Sequence, residues 1–147
     1  MGRIFKLCYV IILNLMELNI RKTNSEDLKT LNKWWEAWPD WQAPAKDFLP
    51  ETALIVEKNN KPIMCGFLYL TNSKAVLLEW IVSDPDYRES DRKEILEFLI
   101  TGCEHFCKEL GYKYVFSIGR NQKLIDTHEK LGWNVDKTPS HELVKTL

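Results

Sequence analysis

Neither sign of charge is in excess in this 147-residue chain: 20 Lys and Arg stand against 21 Asp and Glu, a formal charge of -1. Nucleic-acid binding needs an uncompensated basic surface to displace counterions, so the balance argues against that class. Cysteine is scarce and lacks paired spacing. Cys8, Cys65, Cys103 and Cys107 form no CxxC, which leaves neither a disulfide framework nor a four-ligand zinc site. Cys103 and Cys107, four apart, fall on one helical face, while His105 between them points elsewhere. Buried reduced thiols, no metal and a cytoplasmic setting are expected. Long hydrophobic runs are also missing. The apolar run at 7–13 is far short of the roughly 20 residues that cross a bilayer, and no small-x-small cleavage site follows it. Residues 1–15 read as a β-prone extension, or as a leader ahead of a start at Met16, rather than as a signal or membrane anchor. Residues 16–147 carry no repeat or linker and make one domain.

Aromatics are abundant. Four of six tryptophans crowd together as Trp34, Trp35, Trp38 and Trp41, enough for an aromatic wall. Ahead of them, residues 17–22 alternate as a half-buried strand, and Thr23-Asn-Ser-Glu26 spells a capping box. Leu28, Leu31, Trp35 and Trp38 then recur at helical spacing until Pro39. Residues 41–50, with Pro44 and Pro50, read as loop or a short second helix. Strands follow at 52–58 and 63–70, joined by Asn59-Asn60-Lys61-Pro62 as a hairpin, and a further turn leads into 75–82. Residues 94–110 form an amphipathic helix with Ile95, Leu99, Cys103, Phe106 and Leu110 on one stripe and Gly111 as left-handed cap. A strand at 112–118, a helix near 122–131 and two final strands at 133–136 and 142–147 complete the order. It describes an α+β domain: a mixed, mostly antiparallel sheet flanked by helices.

Two segments carry a resemblance. Val82-Ser-Asp-Pro85-Asp-Tyr87-Arg88 runs from a strand into a helix, and Asn121-x-x-Leu124-x-x-Thr127-His128-x-x-x-Gly132-Trp133 follows at matching separation. Together with the element order they make residues 16–147 similar to the GCN5-related N-acetyltransferase superfamily. The resemblance implies an acyl-CoA N-acyltransferase fold and direct acetyl transfer from acetyl-CoA, with no metal, to an amine of a small molecule or protein. It further implies that the fourth and fifth strands splay, pantetheine pairing with Ile81 and Val82, and that pyrophosphate meets backbone N–H groups at a helix N-terminus. Arg88, Ser90, Arg92, Lys93 and Asn121 are the other expected cofactor contacts.

The phosphate loop departs from the family pattern, with Asp91 and Lys93 at its two glycine positions. Two readings stay open. Asp91 and Glu94 spell a capping box that would put a carboxylate on the amides meant for phosphate. Alternatively, Arg88, Arg92 and Lys93 offset Asp91 and bind phosphate from their side chains. His128 stands where the family carries a tyrosine acid; it would protonate the leaving thiolate, or be a helix histidine with no role. Glu79 is the only acid inside the apolar strand at 75–82. A buried carboxyl binds protons more tightly than an exposed one, which suits a base for an ammonium group. Helical spacing assigns Trp35 and Trp38 to the core, leaving Trp34 and Trp41 for the acceptor wall. The expected activity is N-acetyl transfer to a primary amine. The alternative is a catalytically inactive binding module that has lost its pyrophosphate loop. The oligomeric state is not readable.

Overall fold

The computed structural model describes residues 17–147; the expected leader at 1–15, with Cys8, lies outside the described residues. The chain runs β1 (Leu18–Lys22), α1 (Asp27–Ala37), a 3-10 turn (Lys46–Phe48), β2 (Ala53–Lys58), β3 (Lys61–Leu70), β4 (Ala75–Ser83), α2 (Arg92–Glu109), β5 (Tyr114–Phe116) and α3 (Gln122–Lys130). The strands lie in that same order across one sheet. All neighbours are antiparallel except β4 and β5, which are parallel. The mixed sheet flanked by helices is the expected architecture.

Local chemistry explains most of these elements. Asn59 and Asn60 both take positive φ, the mirror-image turn that matches strand twist, so β2 and β3 close with Lys58 opposite Lys61. β2 alternates by pleat. Leu54 and Val56 join a core under α2 with Ile95, Leu99 and Cys103, while Ala53 and Ile55 join a second core under α1 with Leu31, Trp34 and Trp35. Gly111 has φ near 90° and ends α2 as expected.

Three local expectations need correction. The first capping box is shifted by one residue. Asn24 Oδ1 accepts from the Asp27 N–H at 3.2 Å, and Asp27 Oδ2 accepts from the Asn24 N–H at 2.7 Å. The α2 stripe continues through buried Cys107, whereas Leu110 beyond the helix is exposed. Residues 133–147 form no strand. The Trp133 indole N–H donates to Glu104, the Thr138 N–H turns back onto Asp136, and Leu143, Val144 and Leu147 stay exposed.

Asp27 also fastens α1 to the sheet. Its buried carboxylate takes both Arg21 terminal nitrogens, at 2.7 and 2.9 Å, and Arg21 Nε donates to Glu57 at 2.7 Å. The hydrogen bond from Arg21, working against burial, holds the Asp27 carboxyl below its ordinary value of 3.8. Such a group adds stability that is complete above about 3.8 and vanishes as pH falls through the lower folded value. Asp27→Asn is therefore expected to cost about 1–3 kcal/mol at pH 7. Arg21 keeps Glu57 in that variant, which limits the loss. The gap between the two proteins should shrink as urea unfolding is repeated below pH 3.8; a gap independent of pH would refute the assignment.

Candidate active site

The parallel pair is short. Leu77 faces Phe116, and beyond that register β4 runs on to Ser83 with no described strand on its β5 side. Two features open the sheet there. Between the pairs Phe67 with Glu79 and Cys65 with Val82, β4 has two residues, Trp80 and Ile81, against the single Gly66 of β3. This is a β-bulge, and Trp80 takes the left-handed φ of 55° within it. On the other side, Glu79 Oε1 accepts the Ile118 N–H at 2.6 Å, so the chain leaving β5 turns to a carboxylate instead of the β4 backbone. The result is a cleft of about 1300 Å³ whose walls include Ile81, Val82, Asn121 and Leu124. Asn121 caps α3, its side chain accepting the Leu124 N–H at 2.9 Å.

Cations gather at one end of the cleft. Arg88, Ser90, Arg92 and Lys93 line it where α2 begins. A helix start leaves N–H groups unpaired and partly positive. The expected capping by Asp91 does not occur, since no side chain caps this helix. Asp91 is drawn aside: Lys58 donates to one of its oxygens at 2.6 Å and the Tyr87 hydroxyl to the other at 2.5 Å. Burial works to raise the Asp91 carboxyl, but those two donors win and hold it below the usual aspartate range. Of the two readings, the structure lacks the Asp91 cap and keeps Arg88, Arg92 and Lys93 on the cleft wall.

Glu79 sits at the opposite end. It is only 7 % exposed, and besides the Ile118 N–H it accepts from Ser117 at 3.4 Å and from Arg120 at 3.3 Å. Arg120 also pairs with Glu142, and all of these groups line the cleft. Trp41, 43 % exposed, stands on the wall as expected. Trp34 does not. It is 6 % exposed in the α1 core, whereas Trp38, assigned to the core by spacing, packs half-buried against that core and lines the cleft as well.

His128 needs the larger correction. It is 6 % exposed and lines a separate cavity of about 720 Å³ with Gln122, Glu129 and Trp133. Its Nδ1 bonds the Leu124 carbonyl at 2.8 Å, and the Trp133 ring meets it edge-on at 4.5 Å. Among the described residues that line the large cleft there is no histidine or tyrosine. The Thr127 hydroxyl there donates to the Lys123 carbonyl.

No family model and no curated protein matches the chain. Solved structures do. The ribosomal-protein-S18-alanine N-acetyltransferase from Escherichia coli superposes with a TM-score of 0.67 at 18 % identity, over 80 % of this chain and 77 % of that one. A GNAT family acetyltransferase from Staphylococcus aureus gives 0.57 at 16 % identity, over 87 % and 99 %. N-acetylglutamate synthase from Neisseria gonorrhoeae, complexed with coenzyme A and N-acetyl-glutamate, gives 0.61 at 13 % identity, over 76 % of this chain and 27 % of that one. The fold is that of the GCN5-related N-acetyltransferases. Within this acetyltransferase fold, the structure brings nine expected residues to one cleft: Glu79, Ile81, Val82, Arg88, Ser90, Arg92, Lys93, Asn121 and Trp41. Sequence reasoning missed Trp38, Arg120 and Glu142. Nothing local marks the last two, whose shared contact spans 22 residues.

No metal-binding cluster of His, Cys, Asp or Glu occurs among the described residues, and none of their helices is long and apolar enough to cross a membrane. Burial pushes up the Cys65, Cys103 and Cys107 thiols, the last to about 11, so none is an activated nucleophile.

Proposed function

We propose that the chain is an acetyl-CoA-dependent N-acetyltransferase acting on an amine, and that the parting of β4 from β5 ahead of uncapped α2 amides is its acyl-CoA site. That one arrangement carries the reading. It offers unpaired N–H groups and the Arg88, Arg92 and Lys93 cations to a pyrophosphate, and the β4 edge left open beyond Leu77, with Ile81 and Val82 on the cleft wall, to an amide-bearing arm. The glycine positions filled by Asp91 and Lys93 do not block it, because Asp91 is held by Lys58 and Tyr87.

Acetyl-CoA would supply a thioester: the amine nitrogen bonds the acetyl carbon as the carbon–sulfur bond breaks, and CoA leaves as thiolate. The attacking amine must first lose its ammonium proton, and Glu79, which lines the cleft, would receive it directly or through water. Trp41, on the cleft wall, would face the acceptor. His128 is left out of the mechanism. A free thiol ionises near pH 8.5, so the departing sulfur needs little acid assistance.

Titration of the purified protein with acetyl-CoA is expected to show saturable binding below millimolar concentration, and a flat calorimetric trace would end the proposal. A second reading, a CoA-binding module without turnover, draws on His128 facing the separate cavity. Binding with no thiol release across a panel of primary amines would select it.

A further inference from the structure

We infer that Trp38 is the positioning residue of the anion end, holding Arg88 and Arg92 in place where the glycine-rich loop is missing. The inference rests on the acyl-CoA reading of the cleft. Four described arginines divide into two kinds. Arg21 and Arg120 lie in carboxylate pairs, whereas no described carboxylate pairs with Arg88 or Arg92. Both of the latter stack on one indole instead, with guanidinium carbons 5.5 and 5.9 Å from the Trp38 ring centre. The indole is itself anchored, its N–H donating to the Ser83 carbonyl at 2.8 Å. Arg92 adds a bond to the Ser83 hydroxyl at 3.2 Å. Ser83 ends β4, so the clamp is tied to the strand that forms the cleft wall.

The physical logic is preorganisation. A glycine loop grips phosphate with fixed backbone amides, whereas long arginine side chains must first be ordered, which costs conformational entropy. Stacking on an anchored aromatic face orders the guanidinium groups beforehand and leaves their N–H edges free for an anion. A carboxylate partner would order them equally well but would occupy those edges. Trp38 thus serves the cofactor end although it belongs to the turn after α1.

The test compares CoA with pantetheine, which lacks every phosphate, by calorimetry. Trp38→Leu is expected to weaken CoA binding about ten-fold and to leave pantetheine binding within two-fold. Trp38→Phe, which keeps an aromatic face, should recover most of the CoA affinity. Arg88→Lys with Arg92→Lys keeps both charges on more exposed side chains and loses the planar stack. That pair is expected to reproduce the ten-fold loss, even should Trp38→Leu fail to fold. Equal losses for CoA and pantetheine in Trp38→Leu, or wild-type CoA affinity in the lysine pair, would overturn the inference while leaving the acyl-CoA site intact. Absence of CoA binding to the wild-type protein would overturn both.

Discussion

Glu79→Gln is expected to lower kcat/KM by about two orders of magnitude, with any amine the wild-type protein acetylates, while CoA affinity stays within two-fold. The substitution is close to isosteric. Its remaining oxygen can still accept the Ile118 N–H, so the chain leaving β5 keeps the contact that holds it off β4. Arg120 retains Glu142. What the amide cannot do is take a proton from the attacking ammonium group. Release of free CoA thiol measures turnover, and calorimetry measures binding separately. Glu79→Ala makes the necessary contrast. It removes the acceptor for Ile118 as well, so CoA affinity should fall together with turnover. Wild-type kcat/KM in Glu79→Gln would remove this residue from the mechanism.

Features written in local sequence were legible. A lone acid in an apolar strand marks Glu79, because few arrangements let a carboxylate lie among Val76, Leu78 and Val82 without partners. The hairpin between β2 and β3 is local chemistry and stands as expected, with the turn tightened to Asn59-Asn60 because β3 begins at Lys61. The cations of the α2 turn were equally visible. The role of Asp91 stayed open in the sequence because its partner Lys58 lies 33 residues away on another element, which no local pattern reports.

Trp34 and the histidine were misplaced, and the second position of Trp38 on the cleft wall was missed, for geometric reasons. Residues 27, 31, 34 and 35 form the buried face of α1, so Trp34 follows helical phase into the core. Trp38 has left the helix: its ψ of 130° is extended, and helical spacing no longer says where its ring goes. His128 keeps the family spacing, but its Nδ1 bonds the carbonyl one turn back. That bond lays the short imidazole along α3, where Trp133 covers it. The missing final strands have a similar cause. Alternation at 142–147 suits a strand, yet Glu142 is engaged with Arg120 at the cleft and the apolar residues beside it find no partner strand among the described residues.

Trp35→Ala is expected to lower unfolding stability by about 3–5 kcal/mol, a large share of the roughly 5–15 kcal/mol typical of a domain. Trp35 is 0 % exposed in the α1 core. Phe67 lies 6.0 Å from it, and Trp80 meets it edge-on at 6.5 Å. Trp80 is the positive-φ residue of the bulge, so its seat on Trp35 links this core to the opening of β4. Cavity and function should therefore fall together in the alanine variant, with CoA affinity reduced under conditions where the protein is still folded. Trp35→Phe separates volume from polarity. The Trp35 indole N–H has no hydrogen-bond partner, so replacing it with a phenyl ring sacrifices no polar contact. Only part of the ring volume is lost, and a cost of about 1–2 kcal/mol follows from the smaller cavity. Urea unfolding followed by circular dichroism resolves the two values. Similar losses in both variants would mean that ring volume does not hold this core together, and the link from Trp35 through Trp80 to the cleft would fail with it.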